Sequence, residues 1–366
     1  MSQEYAPGTH PSLPPPRGTT GPIHWLKENL FSSPTNTIVT LVIIYLFAQI
    51  LPPMVDWFFS DATFVGENRK ACTTDGACWA FVGDRFNLFI YGFYPAEERW
   101  RVNLTGILLV VALAAVLWDR MPARKQMFIY ALAFPFIATW LLTGGAGLEP
   151  VGTDKFGGLT LTLVVGITGI VISLPLGVLL ALGRQSSLPI IKYFSIGFIE
   201  FIRGVPLITL LFVASTMLSY FLPPGSSFDL LLRVLIMVTL FASAYMAEVI
   251  RGGLQALPKG QLEAAESLGL NYAQAMRFII LPQALKISIP GIVNTFIGLY
   301  KDTTLVIIIG LLDPLGIGRA SVAHPDWLGL SSEVYMFVAV FFFISCFSMS
   351  RYSLYLENKL HTGHNR

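Results

Sequence analysis

A lysine and an aspartate stand side by side, Lys301-Asp302, within an otherwise apolar run, and two hydroxyls follow them, Thr303 and Thr304. A charge at bilayer depth costs about 2.5–3.5 kcal/mol on insertion scales, so such residues face a cavity or a partner rather than lipid. Asp302 with Thr303 and Thr304 can take up the amino group of a substrate, while Lys301 can steady its carboxylate. The same residues can equally pair with other helices or with a helix backbone broken near Pro290 and Gly298. Both readings stand on the sequence. Neighbours i and i+1 do not face each other on a helix, so each charge needs its own partner. Two further acid–base couples, Glu200 with Arg203 and Glu248 with Arg251, have helical i,i+3 spacing. The first precedes a helix break at Gly204-Val205-Pro206, which can offer backbone groups to a ligand. Mutual pairing is nevertheless the better-supported reading of that couple, and the second reads as a structural brace. Arg233 is expected to snorkel from the outer end of its helix.

Other chemistry is sparse. Cys72 and Cys78 lie in CTTDGAC with five residues between them, without the CxxC pairs of a zinc site. In an oxidising compartment they are candidates for a local disulfide, and Cys346 reads as a small buried hydrophobe. The chain has no GxxxxGK[ST] phosphate loop, HExxH or GxSxG, and His10, His24, His324, His361 and His364 fall in tails and a loop. No metal, no catalysis and no ATP hydrolysis are expected of the chain itself.

The surroundings of these residues are those of a membrane protein. Hydrophobic residues make up 54% of the 366-residue chain and charged ones 13%, with mean hydropathy +0.64. A soluble domain carries about a quarter charged residues, so the polar surface is too small for a water-soluble globule. The net charge of +2 is scattered, which excludes nucleic acid as a partner. A spanning helix needs about 20 mostly apolar residues. Eight runs meet or approach this: about 37–59, 103–119, 127–143, 159–183, 195–222, 229–250, 287–312 and 332–350. Residues 1–35 form a Pro-rich tail without a signal peptide, and the aromatic-rich loop 60–102 suits a small module at the membrane interface. The expected class is an all-α polytopic membrane protein of about eight transmembrane helices. Pro175, Gly166, Gly169 and Gly177 within 159–183 allow kinks and close packing.

Loop charges set the orientation, because short cytoplasmic loops are enriched in Lys and Arg. One side holds Arg120, Arg124, Lys125, Arg184, Lys192, Arg251, Lys259, Arg277 and Lys286, joined by the tail residues Arg351, Lys359 and Arg366. The short loops of the other side hold Lys155 and Arg319, and the five bases of 60–102 are accompanied by six acids. Both termini are therefore expected in the cytoplasm, and Cys72 and Cys78 outside.

The cytoplasmic loop 251–286 carries the most specific pattern. Leu254, Leu257, Leu262, Ala265 and Leu268 recur at roughly helical spacing. Gly269 supplies the left-handed residue that commonly closes a helix, and Asn271 with Gln274 forms a capping-box pattern for the next. Tyr272, Ala275, Met276, Ile279 and Ile280 then make one apolar stripe, which Pro282 is expected to end. Two short helices joined at a glycine can act as a lever. They can also simply lie on their own bundle.

The stretch EAAESLGLNYAQAMRFIILP resembles the coupling-loop motif of binding-protein-dependent ABC import permeases, with Glu263, Ala264, Ala265, Gly269, Ile279, Leu281 and Pro282 in matching positions. The resemblance implies that the helix pair docks in a groove of an ATPase subunit, with Glu263 offering a carboxylate and Gly269 making the turn. IEFIRGVPLITLLF (199–212), YMAEVIRGGLQALPKGQLEAA (245–265) and YKDTTLV (300–306) resemble the polar-amino-acid permeases of the histidine, glutamine and arginine type. Thr304 stands where serine is more usual and keeps the hydroxyl. The likeness covers roughly 155–360 and implies a five-helix type I importer core within 151–366. Residues 36–150, three further helices with the external loop, are similar to the longer permease subunit of general L-amino acid systems. By resemblance the partners are a second permease, two ATPase subunits that bind ATP and Mg, and a periplasmic amino-acid-binding protein in a bacterial inner membrane. An ion-driven secondary carrier is the rival, but its inverted repeat and paired broken helices are not found. A membrane enzyme would need convergent catalytic groups, and none are found.

Overall fold

The computed structural model describes residues 21–118, 122–217, 220 and 228–360. The Pro-rich stretch, Arg120, His10, His361, His364, Arg366 and the last part of the run 195–222 lie outside them. Among the described residues the chain is helical, with only two isolated β-bridges. It divides into two units, 1–66 with 70–79, and 67–69 with 80–366.

In the first unit, α1 (Pro22–Asn29) leads into α2 (Pro34–Val55). The Ser33 side chain accepts from the Asn36 amide at 3.1 Å, and Pro34 gives up an N–H that has no helical partner anyway. Helix α2 is apolar on every side and keeps almost all of that surface exposed, as a helix meant for lipid must. A π turn, Asp56–Ser60, carries it to a small knot. There the Ala77 amide reaches the Trp57 carbonyl and the Thr63 amide the Ala77 carbonyl, both at 2.8 Å. Cys72 and Cys78 are joined, with Cα atoms 5.7 Å apart.

The second unit runs α3 (Ala80–Tyr91), α4 (Arg99–Leu117), α5 (Arg124–Thr143), α6 (Gly158–Arg184), α7 (Pro189–Gly204), α8 (Leu207–Phe212), α9 (Leu230–Gln255), α10 (Gly260–Ser267), α11 (Tyr272–Ala275), α12 (Leu281–Asp302), α13 (Pro314–Ser321) and α14 (Ser331–Leu360). Helix α6 crosses α9 closely: a Cβ built on Gly177 would lie 2.6 Å from Met246 Cγ. Leu161, Val165, Leu211, Val234, Val238 and Leu299 fill one core cluster. A second cluster, with Ala181, Ile199, Met246, Ile250, Met276 and Ile280, lies towards the start of α12.

Seven helical stretches of the described residues are long and apolar enough to span a membrane, and α7 with α8 makes an eighth if that bent pair is one span. The expected number of about eight agrees with this, but three details differ. The fifth run starts earlier, at Pro189, and at Gly204-Val205-Pro206 it turns by 100°. Val205 is extended, since a residue before proline is pushed out of the α region. Second, the loop 60–102 supplies α3 and the start of α4. Arg101 can enter a buried position (2% exposed) because its Nε meets Glu98 at 2.7 Å and its Nη1 donates to the Glu149 carbonyl at 2.6 Å. Of its aromatics, Phe81, Phe89 and Tyr94 are core residues, while Phe86, Phe93 and Trp100 are exposed.

Third, Pro282 does not end a helix. A π turn over Met276–Ile280 joins α11 to α12, and the Leu281 amide reaches back to the Met276 carbonyl. Proline is tolerated in the first turn of a helix, where its missing N–H is not needed. The second short helix of the loop is thus continuous with a helix long and apolar enough to span a membrane, Tyr272–Ile309.

Candidate functional site

Three arrangements in the second unit can do work. The first is the tip of the loop between α9 and α12. Helix α10 closes on Gly269, whose φ of +83° suits glycine alone without strain. Its amide donates to the Glu266 carbonyl at 2.9 Å, and the Leu270 amide to that of Ala265 at 3.2 Å. Asn271 and Gln274 then cap α11 reciprocally, at 2.9 and 3.0 Å. Ala265, Ala275, Met276 and Ile280 are buried and hold the pair to the bundle. Gln283 adds a tie to Gln261 at 2.9 Å. Glu263, Ala264 and Gly269 face outward, and so do Leu268 (82% exposed), Tyr272 and Phe278. Ile279 and Leu281 are half-buried, and Pro282 is exposed.

The second arrangement is a cavity of about 300 Å³ between α9 and α12, lined by Phe241, Ala242, Tyr245, Asn294, Thr295, Gly298, Leu299 and Asp302. One carboxylate, one carboxamide and two aromatic rings thus share a small open space. Of the four residues singled out at 301–304, only Asp302 reaches it. Lys301 is exposed and does not line it. The Thr303 hydroxyl is buried and donates to the Tyr300 carbonyl at 2.8 Å, and that of Thr304 to the Lys301 carbonyl at 3.0 Å. Both hydroxyls are used by the helix turn. Asn294, Thr295 and Gly298 stand eight, seven and four residues before Asp302 on α12, a spacing that puts all four on one helix face and could have marked them in the sequence; Tyr245, on α9, carries no such sign.

The third arrangement is an ionic cluster at the ends of α6, α7 and α9. Arg184 bonds to Glu200 at 2.8 Å and to Glu248 at 3.0 Å. Glu248 also meets Arg203 at 3.6 Å and Arg251 at 2.8 Å. Arg251 donates on to Gln255 at 2.7 Å. The brace expected between Glu248 and Arg251 is present, but Glu200 and Arg203 each bond to another helix rather than to each other. Arg233, expected to snorkel, donates to the Ser215 carbonyl at 2.8 Å, in the π turn after α8, Val213–Met217.

Outside the spans, Asp313 is fully buried and caps α13 by accepting from the Gly316 amide at 2.9 Å. Burial outweighs the backbone hydrogen bonds and pushes its carboxyl up to about 6.

The family model of the binding-protein-dependent transport system inner membrane component matches residues 173–361, which include both the loop motif and the Asp302 cavity. The chain is 50% identical over 357 residues, 97% of it and 97% of the relative, to the inner membrane amino-acid ABC transporter permease protein YhdY of Escherichia coli (strain K12). It is 46% identical, over 96% of each chain, to the glutamate/glutamine/aspartate/asparagine transport system permease protein BztC of Rhodobacter capsulatus. The probable glutamine ABC transporter permease protein GlnM of Bacillus subtilis (strain 168) is 35% identical over 54% of this chain and 89% of its own. The chain belongs to the binding-protein-dependent transport system inner membrane components, as the EAA motif of its 251–286 loop led one to expect.

Proposed function

We propose that this chain is the permease subunit through which an ATP-driven importer carries polar L-amino acids across a bacterial inner membrane. The observation that carries the reading is the loop tip. Two capped helices, fused at one end to a spanning helix, hold Leu268, Tyr272 and Phe278 in the open beside Glu263. Exposed apolar side chains on a rigid turn suit docking in a groove of a second protein. That protein would be the ATPase, two copies of which bind ATP and Mg. A second permease and a periplasmic amino-acid-binding protein complete the complex.

The cargo class follows from the cavity and from the relatives' names. Asp302 offers a carboxylate to an α-ammonium group, and Asn294 offers both a donor and an acceptor to a carboxylate or side-chain amide. Its volume lies at the small end of ligand pockets, as one amino acid requires. The core occupies 151–366 and the additional helices 36–150, after a tail over 1–35; both termini are cytoplasmic and the Cys72–Cys78 knot external. A permease such as GlnM does without a counterpart of nearly half of this chain, which supports that division.

The test is purification of the chain from its native membranes, followed by uptake of labelled glutamate and glutamine in proteoliposomes. Uptake should need ATP and the binding protein, and Glu263→Lys or Gly269→Val should lose the ATPase subunit and uptake together. Uptake driven by an ion gradient without ATP would establish a secondary carrier instead.

A further inference from the structure

We infer that Arg203 is a positioning residue that ties the wall of the cavity to the coupling loop, acting between Tyr245 and Glu248; this rests on the permease reading above. The Arg203 guanidinium lies over the Tyr245 ring, 5.5 Å from its centroid. Tyr245 lines the cavity that holds Asp302. On its other side Arg203 meets Glu248 at 3.6 Å, and Glu248 holds Arg251, which holds Gln255 at the last turn of α9. The coupling helix α10 begins five residues later. A continuous set of contacts therefore runs from cavity to loop.

Arg203 also sits one residue before the break at which α7 and α8 turn by 100°. A hinge is where a small displacement becomes a large one, and a planar cation stacked on a ring moves with that ring. Glu248 receives arginines from α6, α7 and α9 at once, so a shift of the α9 end towards or away from the ATPase redistributes those bonds. The Arg203 cation follows, and the Tyr245 ring is pressed into the cavity or released. Arg203 and Glu248 lie outside the lining of the cavity, whereas Tyr245 is part of its wall.

The experiment uses the complete reconstituted importer and reads the ratio of amino acid moved to ATP hydrolysed, with subunit composition checked in each preparation. Arg203→Gln and Tyr245→Leu should each lower that ratio about fivefold, the scale of coupling carried by such contacts. The double variant should fall no further than the worse single one, because both break the same link. Arg203→Lys keeps the charge on Glu248 but loses the flat stacking group, and should also lower the ratio; it serves if Arg203→Gln fails to assemble. Multiplicative losses in the double variant, or an unchanged ratio in the assembled Arg203 variants, would overturn the relay. Absence of ATP-dependent uptake in the wild type overturns the permease reading itself, and is told apart because no variant then differs from it.

Discussion

Asp302 and Lys301 are adjacent in the chain and serve different places in the fold. Asp302 opens on the α9–α12 cavity, and the exposed Lys301 is not part of its lining. Removing the charge at 302 deletes a charge-assisted bond to an ammonium group, worth about 1.5–3 kcal/mol. Asp302→Asn should therefore raise the KM for uptake by roughly ten- to a hundredfold. Lys301→Gln should raise it far less, and uptake kinetics in vesicles compare the two. Asp313 makes a separate prediction. Its folded pKa of about 6 lies above its ordinary value of 3.8, so the folded chain binds more protons between those two pH values. Stability from this group is greatest below about pH 4, falls as the pH rises to about 6, and stays low above it. The span of the shift corresponds to about 3 kcal/mol at most. Asn is as good an N-cap and does not ionise. Asp313→Asn should thus raise Tm near pH 7 and flatten its dependence between about pH 4 and 6, read by thermal unfolding in detergent; a variant with the wild-type slope would contradict the assignment.

At the scale of elements, much of the architecture was legible because apolar length is a property of the chain itself. The runs at 159–183 and 332–350 lie within α6 and α14, and the run at 229–250 starts one residue before α9, at its N-cap Asp229. The glycine turn and capping box were readable for the same reason, since each is satisfied by residues within four positions. What was not legible depends on contacts between helices. Glu200 stands three residues from Arg203, yet finds Arg184 sixteen positions away. Pro282 reads locally as a stop, but the π turn before it lets the helix continue into the membrane. The close crossing of α9 and α12 was equally hidden. A Cβ on Gly253 would stand 2.5 Å from the Ala284 carbonyl oxygen, and the Ser288 hydroxyl donates to the Val249 carbonyl at 3.2 Å. This crossing pins both ends of the coupling loop. Gly253→Leu should force the helices apart at a cost of about 1–3 kcal/mol. Faster hydrogen exchange across 255–280 is the expected signature, and unchanged protection there would show that the loop is held by other means.

For the whole molecule, the two features that matter are the α9–α12 cavity and the α10–α11 tip that lies between those helices in the chain. The 50% identity to an amino-acid permease along 97% of both chains says that the ensemble, and not only the motif, belongs to such a transporter. The claim on which the rest depends is that the α10–α11 tip is occupied by another protein. Leu268 at that tip is 82% exposed, a large apolar side chain with no cover from its own bundle. A photo-crosslinking amino acid in place of Leu268, activated in intact cells, tests this most directly. The account predicts a covalent adduct with a nucleotide-binding ATPase subunit, lost when Gly269→Val is added. An adduct formed within the chain's own bundle or with lipid, and none with an ATPase, would contradict it.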